Sequence, residues 1–281
     1  MERIGVIGGG LMGSGIAEVC ARAGSQVVVH EVDATMAEAA LGRIEKSLAR
    51  AVERGKLDDV GRDDIVSRIS VSTDLSDQAD RDLVIEAATE NEELKKGIFG
   101  ELDGLVSEET ILASNTSSIP ITRLAAATTR PEKVVGLHFF NPVPVMALVE
   151  LVTTVLTDDN TGETVAAYAE KLGKTVIRAK DRAGFIVNML LIPYMLNAVR
   201  MLEQGVASRE DIDAGMRLGA NHPMGPLELT DFVGLDTTKF VADVLFEEFK
   251  NPEYASPPLL TRMVEAGLHG RKSGRGFYDY S

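Results

Sequence analysis

Arg3-Ile4-Gly5-Val6-Ile7-Gly8-Gly9-Gly10-Leu11-Met12-Gly13 carries an apolar strand straight into a G-x-G-x-x-G turn. Loops are rich in glycine, so the surroundings decide what the pattern means. A helical stretch follows, with Ile16, Val19, Cys20 and Ala23 at helical spacing. A second strand, Val27-Val28-Val29, then ends at Glu31. That carboxylate lies about 20 residues past the glycines, where a ribose partner belongs in a dinucleotide-binding unit. Gly8 allows the tight turn, Gly10 lets a pyrophosphate approach the backbone, and Gly13 lets helix and sheet pack closely. Leu11 and Met12 open the helix whose N-terminus faces the phosphates. Glu31 should accept hydrogen bonds from the ribose hydroxyls and repel a 2′-phosphate, which predicts NAD rather than NADP. Asp33 lies past the strand end and reads as a solvated turn residue. Cys20 reads as a small packed side chain rather than a reactive thiol.

Working outward, apolar runs of strand length alternate with helical stretches. Ile4–Ile7, Val27–Val29, Leu83–Ala87, Ile111–Ala113, Val134–Phe139, Ala147–Val152 and Thr175–Ile177 read as strands. This alternation predicts a parallel sheet with helices on both faces. The last strands follow each other over short links, so that edge is expected to be mixed. Beyond Gly184 the texture turns helical, with breaks at Gly and Pro. Ser208 reads as a helix cap, with an acid at Asp211. Pro226 suits the first turn of another helix. The fold class expected is α/β followed by a smaller all-helical domain, with domains at residues 1–184 and 185–281.

The net charge of −14 argues against a nucleic-acid partner, but a local basic patch could still hold a small anion. The single cysteine rules out an internal disulfide and fits a reducing cytoplasm. The first strand begins almost at Met1, so no targeting peptide is expected. No apolar run reaches the roughly 18 residues of a membrane span. The nearest approach, Gly184–Met201, carries Asn188, Pro193, Asn197 and Arg200 and reads as a buried helix. No metal site is assigned.

A dinucleotide enzyme that removes hydride from an alcohol needs a base for the hydroxyl proton. Of four histidines, His30 belongs to the adenosine end beside Glu31, His222 precedes Pro223 in a loop, and His269 reads as exposed among Gly270, Arg271 and Lys272. His138 ends the apolar strand Val134-Val135-Gly136-Leu137-His138, and ligands gather at the carboxyl ends of such strands. The next strand, Met146–Val152, holds one carboxylate, Glu150, in an apolar run. Buried there, it needs a partner. If the strands are neighbours, an imidazole serves, and the carboxylate fixes its tautomer and raises its basicity. Otherwise Glu150 points to solvent at an edge. Ser114-Asn115-Thr116-Ser117-Ser118 reads as a polar turn and helix cap, or as hydroxyls placed at the reacting end of the cofactor.

At these residues the sequence resembles the 3-hydroxyacyl-CoA dehydrogenase family, especially its short-chain, 3-hydroxybutyryl-CoA members. The matching motifs are Gly8–Gly13, Ser114–Ser118, Gly136–Pro142, Leu148-Val149-Glu150, Gly184-Phe185-Ile186-Val187-Asn188 and Gly270–Tyr278. They cover essentially the whole chain. The block around His138 with Glu150 is far more specific than the glycines.

The resemblance implies a homodimer, expected in the cytoplasm on the strength of the single cysteine. Its Rossmann-type NAD-binding domain is followed by a helical substrate-binding and dimerisation domain, with substrate between the two. It implies hydride transfer between NAD and C3 of a short acyl-CoA, in fatty-acid metabolism. By the same resemblance His138 is the general acid/base and Glu150 its orienting partner, while Ser117 and Asn188 bond the reacting oxygen. Glu90, Lys95, Asn141 and Lys272 would contact NAD alongside Glu31. The family commonly has proline where this chain has Ala183, and often aspartate at Glu31. Two rivals share the architecture, namely a dehydrogenase of free hydroxy or sugar acids and a crystallin-like relative without activity.

Arg43, Lys46, Arg50 and Arg54 recur on one helical face opposite Leu41, Ile44, Leu48 and Val52, and Lys56 follows at the turn. The stripe is open to two readings. It is a docking surface for the phosphates of CoA, with Arg54 and Lys56 as substrate contacts, or it is a solvated face in which Glu45 and Glu53 are interspersed.

Overall fold

A computed structural model describes residues 1–281, which divide into two compact units, Met1–Arg182 and Ala183–Ser281. In the first, the chain runs β1 (Arg3–Ile7), α1 (Leu11–Arg22), β2 (Gln26–His30), α2 (Ala34–Glu53), α3 (Asp59–Ser67), β3 (Ile69–Ser72) and β4 (Leu83–Glu86). It continues through α4 (Glu92–Leu105), β5 (Ile111–Ser114), α5 (Ile121–Ala125), β6 (Val134–Phe139), β7 (Leu148–Thr153), α6 (Asp159–Lys171) and β8 (Thr175–Lys180).

The eight strands form one sheet in the order β3-β2-β1-β4-β5-β6-β7-β8. Its first six positions follow the Rossmann order. Each pair from β3 to β6 is parallel, because a helix or crossover returns the chain to the same edge. Between β6 and β7 the link is short and carries no helix, so the pair is antiparallel, and β8 then runs parallel to β7. The sheet is therefore mixed at the expected edge. Strands β4, β5 and β6 are buried along their whole length, as a sheet covered on both faces requires.

One strand departs from the sequence reading. β3, Ile-Ser-Val-Ser, is a four-residue edge strand whose alternating serines give no apolar run. Asp33 is more than a solvated turn residue, since its side chain accepts the Met36 N–H at 2.8 Å and caps α2. Nor does the Ser114–Ser118 turn cap a helix. Asp181 caps α5 from sixty residues away, accepting from Ile121 N at 2.8 Å and Thr122 N at 2.7 Å.

The second unit contains α7 (Val187–Glu203), α8 (Arg209–Ala214), α9 (Pro226–Val233), α10 (Leu235–Phe249) and α11 (Pro258–Glu265). Pro193 sits inside α7, whose buried face includes Ile192, Met195, Leu196 and Val199. Ser208 caps α8, and Pro226 opens α9. Two buried carboxylates tie the unit together. Asp213 receives the Leu227 and Glu228 amides that start α9, and Asp231 receives those of Phe277 and Tyr278. His269 is part-buried rather than exposed, with Nε2 placed 3.2 Å from the Val264 carbonyl. No helix is long and apolar enough to cross a membrane.

Candidate active site

Strands β1, β2, β4, β5 and β6 end on the same edge of the sheet, and the loops leaving that edge carry most of the assigned residues. At β1, Gly8 has φ +90°, a conformation side chains avoid. A Cβ on Gly13 would fall 1.7 Å from the Gly8 carbonyl oxygen, so that close approach needs glycine. Gly10 is different, because a Cβ there meets nothing within 4 Å. It is the N-cap of α1, and no side chain caps the helix. The first-turn N–H groups, Leu11 and Met12 included, are thus left for an anion. Glu31 follows β2, and its Oε1 accepts the Gly9 N–H at 2.6 Å. Carboxylate, open turn and uncapped helix start fit the adenosine and pyrophosphate of a dinucleotide. Burial pushes the Cys20 thiol up to about 12, so it stays protonated at neutral pH.

At β6 and β7 the antiparallel register sets His138 directly opposite Glu150. His138 Nδ1 lies 2.7 Å from Glu150 Oε2, with both side chains buried. The ring of Phe140 stands 4.6 Å from the imidazole, centroid to centroid. The carboxylate fixes Nδ1 as the protonated nitrogen, which makes Nε2 the basic one. Asn141 follows, exposed, at a cis bond to Pro142. The link beyond is held by Lys174, whose Nζ donates to the carbonyls of Val143 at 2.6 Å and Met146 at 2.8 Å. Burial lowers this lysine's pKa below the usual value. Lys174 has no mark in the sequence pattern, and Asn115, read there only as part of the polar turn, receives the Phe139 amide on its Oδ1 at 2.9 Å and ties the end of β5 to that of β6.

Ser114, Thr116, Ser117 and Ser118 all carry hydroxyls, and three of these bond to carboxylates. Ser114 donates to Glu86, while Thr116 and Ser118 donate to Glu90. The Ser117 hydroxyl makes no bond within the protein, although its amide donates to Glu90 at 3.2 Å. Lys95 is fully buried, and its Nζ reaches Glu86 Oε1 at 2.5 Å, Ala88 O at 3.2 Å and Glu90 Oε2 at 3.3 Å. Glu86 was not singled out in the sequence, although a lone carboxylate in an apolar strand is the same signal that marked Glu150.

Asn188 and Lys272 belong to the second unit. Asn188 is in the first turn of α7 with its side-chain amide unbonded, and Lys272 is exposed and paired with Asp236 at 2.6 Å.

Along α2, Ile44 and Leu48 are buried and the basic residues face solvent. Arg43 is drawn to the glycine turn, where Nη1 donates to the Gly9 carbonyl at 3.0 Å. Lys46, Arg50, Arg54 and Lys56 form no ion pair. Arg54 lies about 16 Å along the helix from Arg43, at a rise of about 1.5 Å per residue.

Comparison with known proteins covers both units. The family model described as "3-hydroxyacyl-CoA dehydrogenase, NAD binding domain" matches residues 3–182, and the one described as "3-hydroxyacyl-CoA dehydrogenase, C-terminal domain" matches residues 184–280. A 3-hydroxybutyryl-CoA dehydrogenase of Mycobacterium tuberculosis is 55% identical, over 100% of this chain and 99% of the relative. The crystal structure of M. tuberculosis FadB2 aligns with a TM-score of 0.99 at 55% identity, covering 100% of this chain and 99% of that one. That of (S)-3-hydroxybutyryl-CoA dehydrogenase from Ralstonia eutropha gives 0.96 at 46% identity, with the same coverage.

Proposed function

The chain belongs to the 3-hydroxyacyl-CoA dehydrogenase family, and from that membership we propose that it interconverts a short-chain (3S)-3-hydroxyacyl-CoA and its 3-keto form, 3-hydroxybutyryl-CoA and acetoacetyl-CoA first among them. The observation that carries the chemistry is the buried His138–Glu150 contact at 2.7 Å, at the sheet edge that also holds the dinucleotide turn. Bound NAD supplies the hydride acceptor in oxidation and, reduced, the hydride donor in the reverse direction. His138 Nε2 takes the proton from the 3-hydroxyl as C3 becomes a carbonyl, and returns it in reduction. Glu150 holds the Nδ1–H and stabilises the imidazolium that forms. The unbonded Ser117 hydroxyl and Asn188 amide are assigned to the reacting oxygen.

Gly8, Gly10, Leu11, Met12, Gly13 and Glu31 are assigned to the adenosine and pyrophosphate. Glu90, Asn141 and Lys272 are assigned to the rest of the cofactor. Lys95, buried with its three N–H groups engaged, serves there by holding Glu90. Glu31→Ala is expected to raise the KM for NAD by about tenfold or more, the worth of a charge-assisted hydrogen bond, with saturated kcat little changed. Unaltered NAD affinity in a fluorescence titration would remove the ribose role.

The unpaired cations of α2 support the CoA reading of the stripe. The pantetheine arm separates CoA's phosphates from its thioester, so a docking surface away from the reacting carbon suits the ligand's shape. Charge removal at Arg54 and Lys56 should raise the KM for acyl-CoA several-fold, with a loss that shrinks as salt rises. A flat KM across the series leaves the stripe a solvated face.

We propose that the enzyme is cytoplasmic and a homodimer. The first assignment is supported by its lone buried thiol. The second is supported by exposed apolar side chains of the second unit, such as Leu190, Phe232 and Phe240. The test of the function is NADH oxidation against 3-ketoacyl-CoAs from four carbons upward. Turnover is expected, beginning with acetoacetyl-CoA, and failure with every member contradicts the assignment.

A further inference from the structure

Glu86 ends β4 with no exposed surface, and Lys95 on α4 is equally buried. Charges so deep are costly unless each is paired and its remaining hydrogen-bonding capacity is used. Here the bonds close a ring. Glu86 Oε1 accepts from Lys95 at 2.5 Å and from the Ala88 amide at 2.7 Å, and Oε2 accepts the Ser114 hydroxyl at 2.6 Å. Lys95 passes to Glu90 Oε2 at 3.3 Å. Glu90 Oε1 then gathers the Thr116 hydroxyl, the Ser117 amide at 3.2 Å and the Ser118 hydroxyl at 3.1 Å. The Thr116 amide donates to Ser114 Oγ at 3.2 Å, which returns the path to Glu86. Every hydroxyl on the turn is spent on this ring except that of Ser117.

We propose that Glu86 is a positioning residue, which fixes the Ser114–Ser118 turn through Lys95, Glu90 and Ser114 so that the Ser117 hydroxyl is presented to the reacting oxygen. This rests on the reading of Ser117 as a substrate donor. Glu86 is sealed from solvent and holds no substrate itself. Its carboxylate fixes the ammonium that fixes Glu90, and it orients Ser114 from the other side. Such a network loses its geometry when one member stops accepting, because the remaining buried groups must find other partners.

The test is a double-mutant cycle between Glu86→Gln and Ser117→Ala, with acetoacetyl-CoA as substrate. Glu86→Gln alone should lower kcat at saturating NADH by about tenfold, part of the loss known for removing a whole oxyanion donor. The double variant should lose no more than Ser117→Ala alone. In the protein without cofactor, hydrogen exchange should speed up at the amides of residues 117–119, which the ring holds. If Glu86→Gln fails to fold, Ser114→Ala replaces it in the same cycle, since it removes the bond to Glu86 Oε2. A costly Ser117→Ala with a silent or additive ring variant overturns this proposal alone. A silent Ser117→Ala overturns the reading of Ser117 and the proposal with it.

Discussion

Replacing His138 with asparagine is expected to lower kcat for acetoacetyl-CoA reduction by about 10²–10⁴, the usual worth of a positioned acid/base. The substitution keeps a polar side chain of smaller volume on β6, whose buried backbone is paired on both sides. It removes the imidazole whose tautomer Glu150 fixes, the group assigned to pass the proton to and from the substrate. NADH affinity should stay close to that of the native enzyme, because the dinucleotide turn lies at β1 and β2 whereas His138 is on β6, three strands from β1 in the sheet. The loss should therefore sit in kcat, as for an interaction made only in the transition state. Near-native turnover would remove His138 from the chemistry, and a parallel loss of NADH binding would recast it as a cofactor-site residue.

Glu150→Gln is expected to have the next largest effect, again about 10²–10⁴ in kcat, by analogy with other enzymes in which the acid of a His–acid pair is made an amide. The carboxylate can only accept, so Nδ1 carries the proton and Nε2 is left basic. A glutamine can turn its amide N–H toward Nδ1, which favours the opposite tautomer and protonates the nitrogen that must accept from substrate. It also withdraws the charge that would stabilise the imidazolium. The shape of the side chain is kept in a fully buried site, so the melting temperature should move little. Activity lost together with folding would make Glu150 a structural group. Activity retained would show that His138 needs no orienting acid.

Much of this arrangement is legible in the sequence because it is local or repeats a short period. The glycines, the helix after them and Glu31 fall within one strand–helix–strand unit, so spacing alone brings them together. His138 and Glu150 lie on strands joined by a short link. A chain that reverses without a crossover makes its strands neighbours, and an apolar run with one acid asks for a partner across the pair. Glu86 carries the same signal, yet its partner sits on a helix nine residues on, in a direction strand periodicity does not reveal. Asp181 capping α5, and Asp213 and Asp231 holding the second unit, join residues far apart in sequence through backbone amides. Amides leave no mark on the side-chain pattern. β3 escaped because an edge strand need bury only one face, and two serines fill the other. The basic stripe shows a further limit. Periodicity places Arg43 with the cations of α2, whereas its guanidinium belongs to the glycine turn, and only coordinates separate the two.

A CoA thioester, NAD and the His138–Glu150 pair meet in the proposed reaction, and the thioester is the member that the residues around His138 do not reveal by themselves. The most direct measurement compares the purified enzyme's NADH oxidation with acetoacetyl-CoA and with free acetoacetate at equal concentrations. Turnover of the thioester far above that of the free acid is the predicted result. Equal or faster turnover of the free acid would contradict the account.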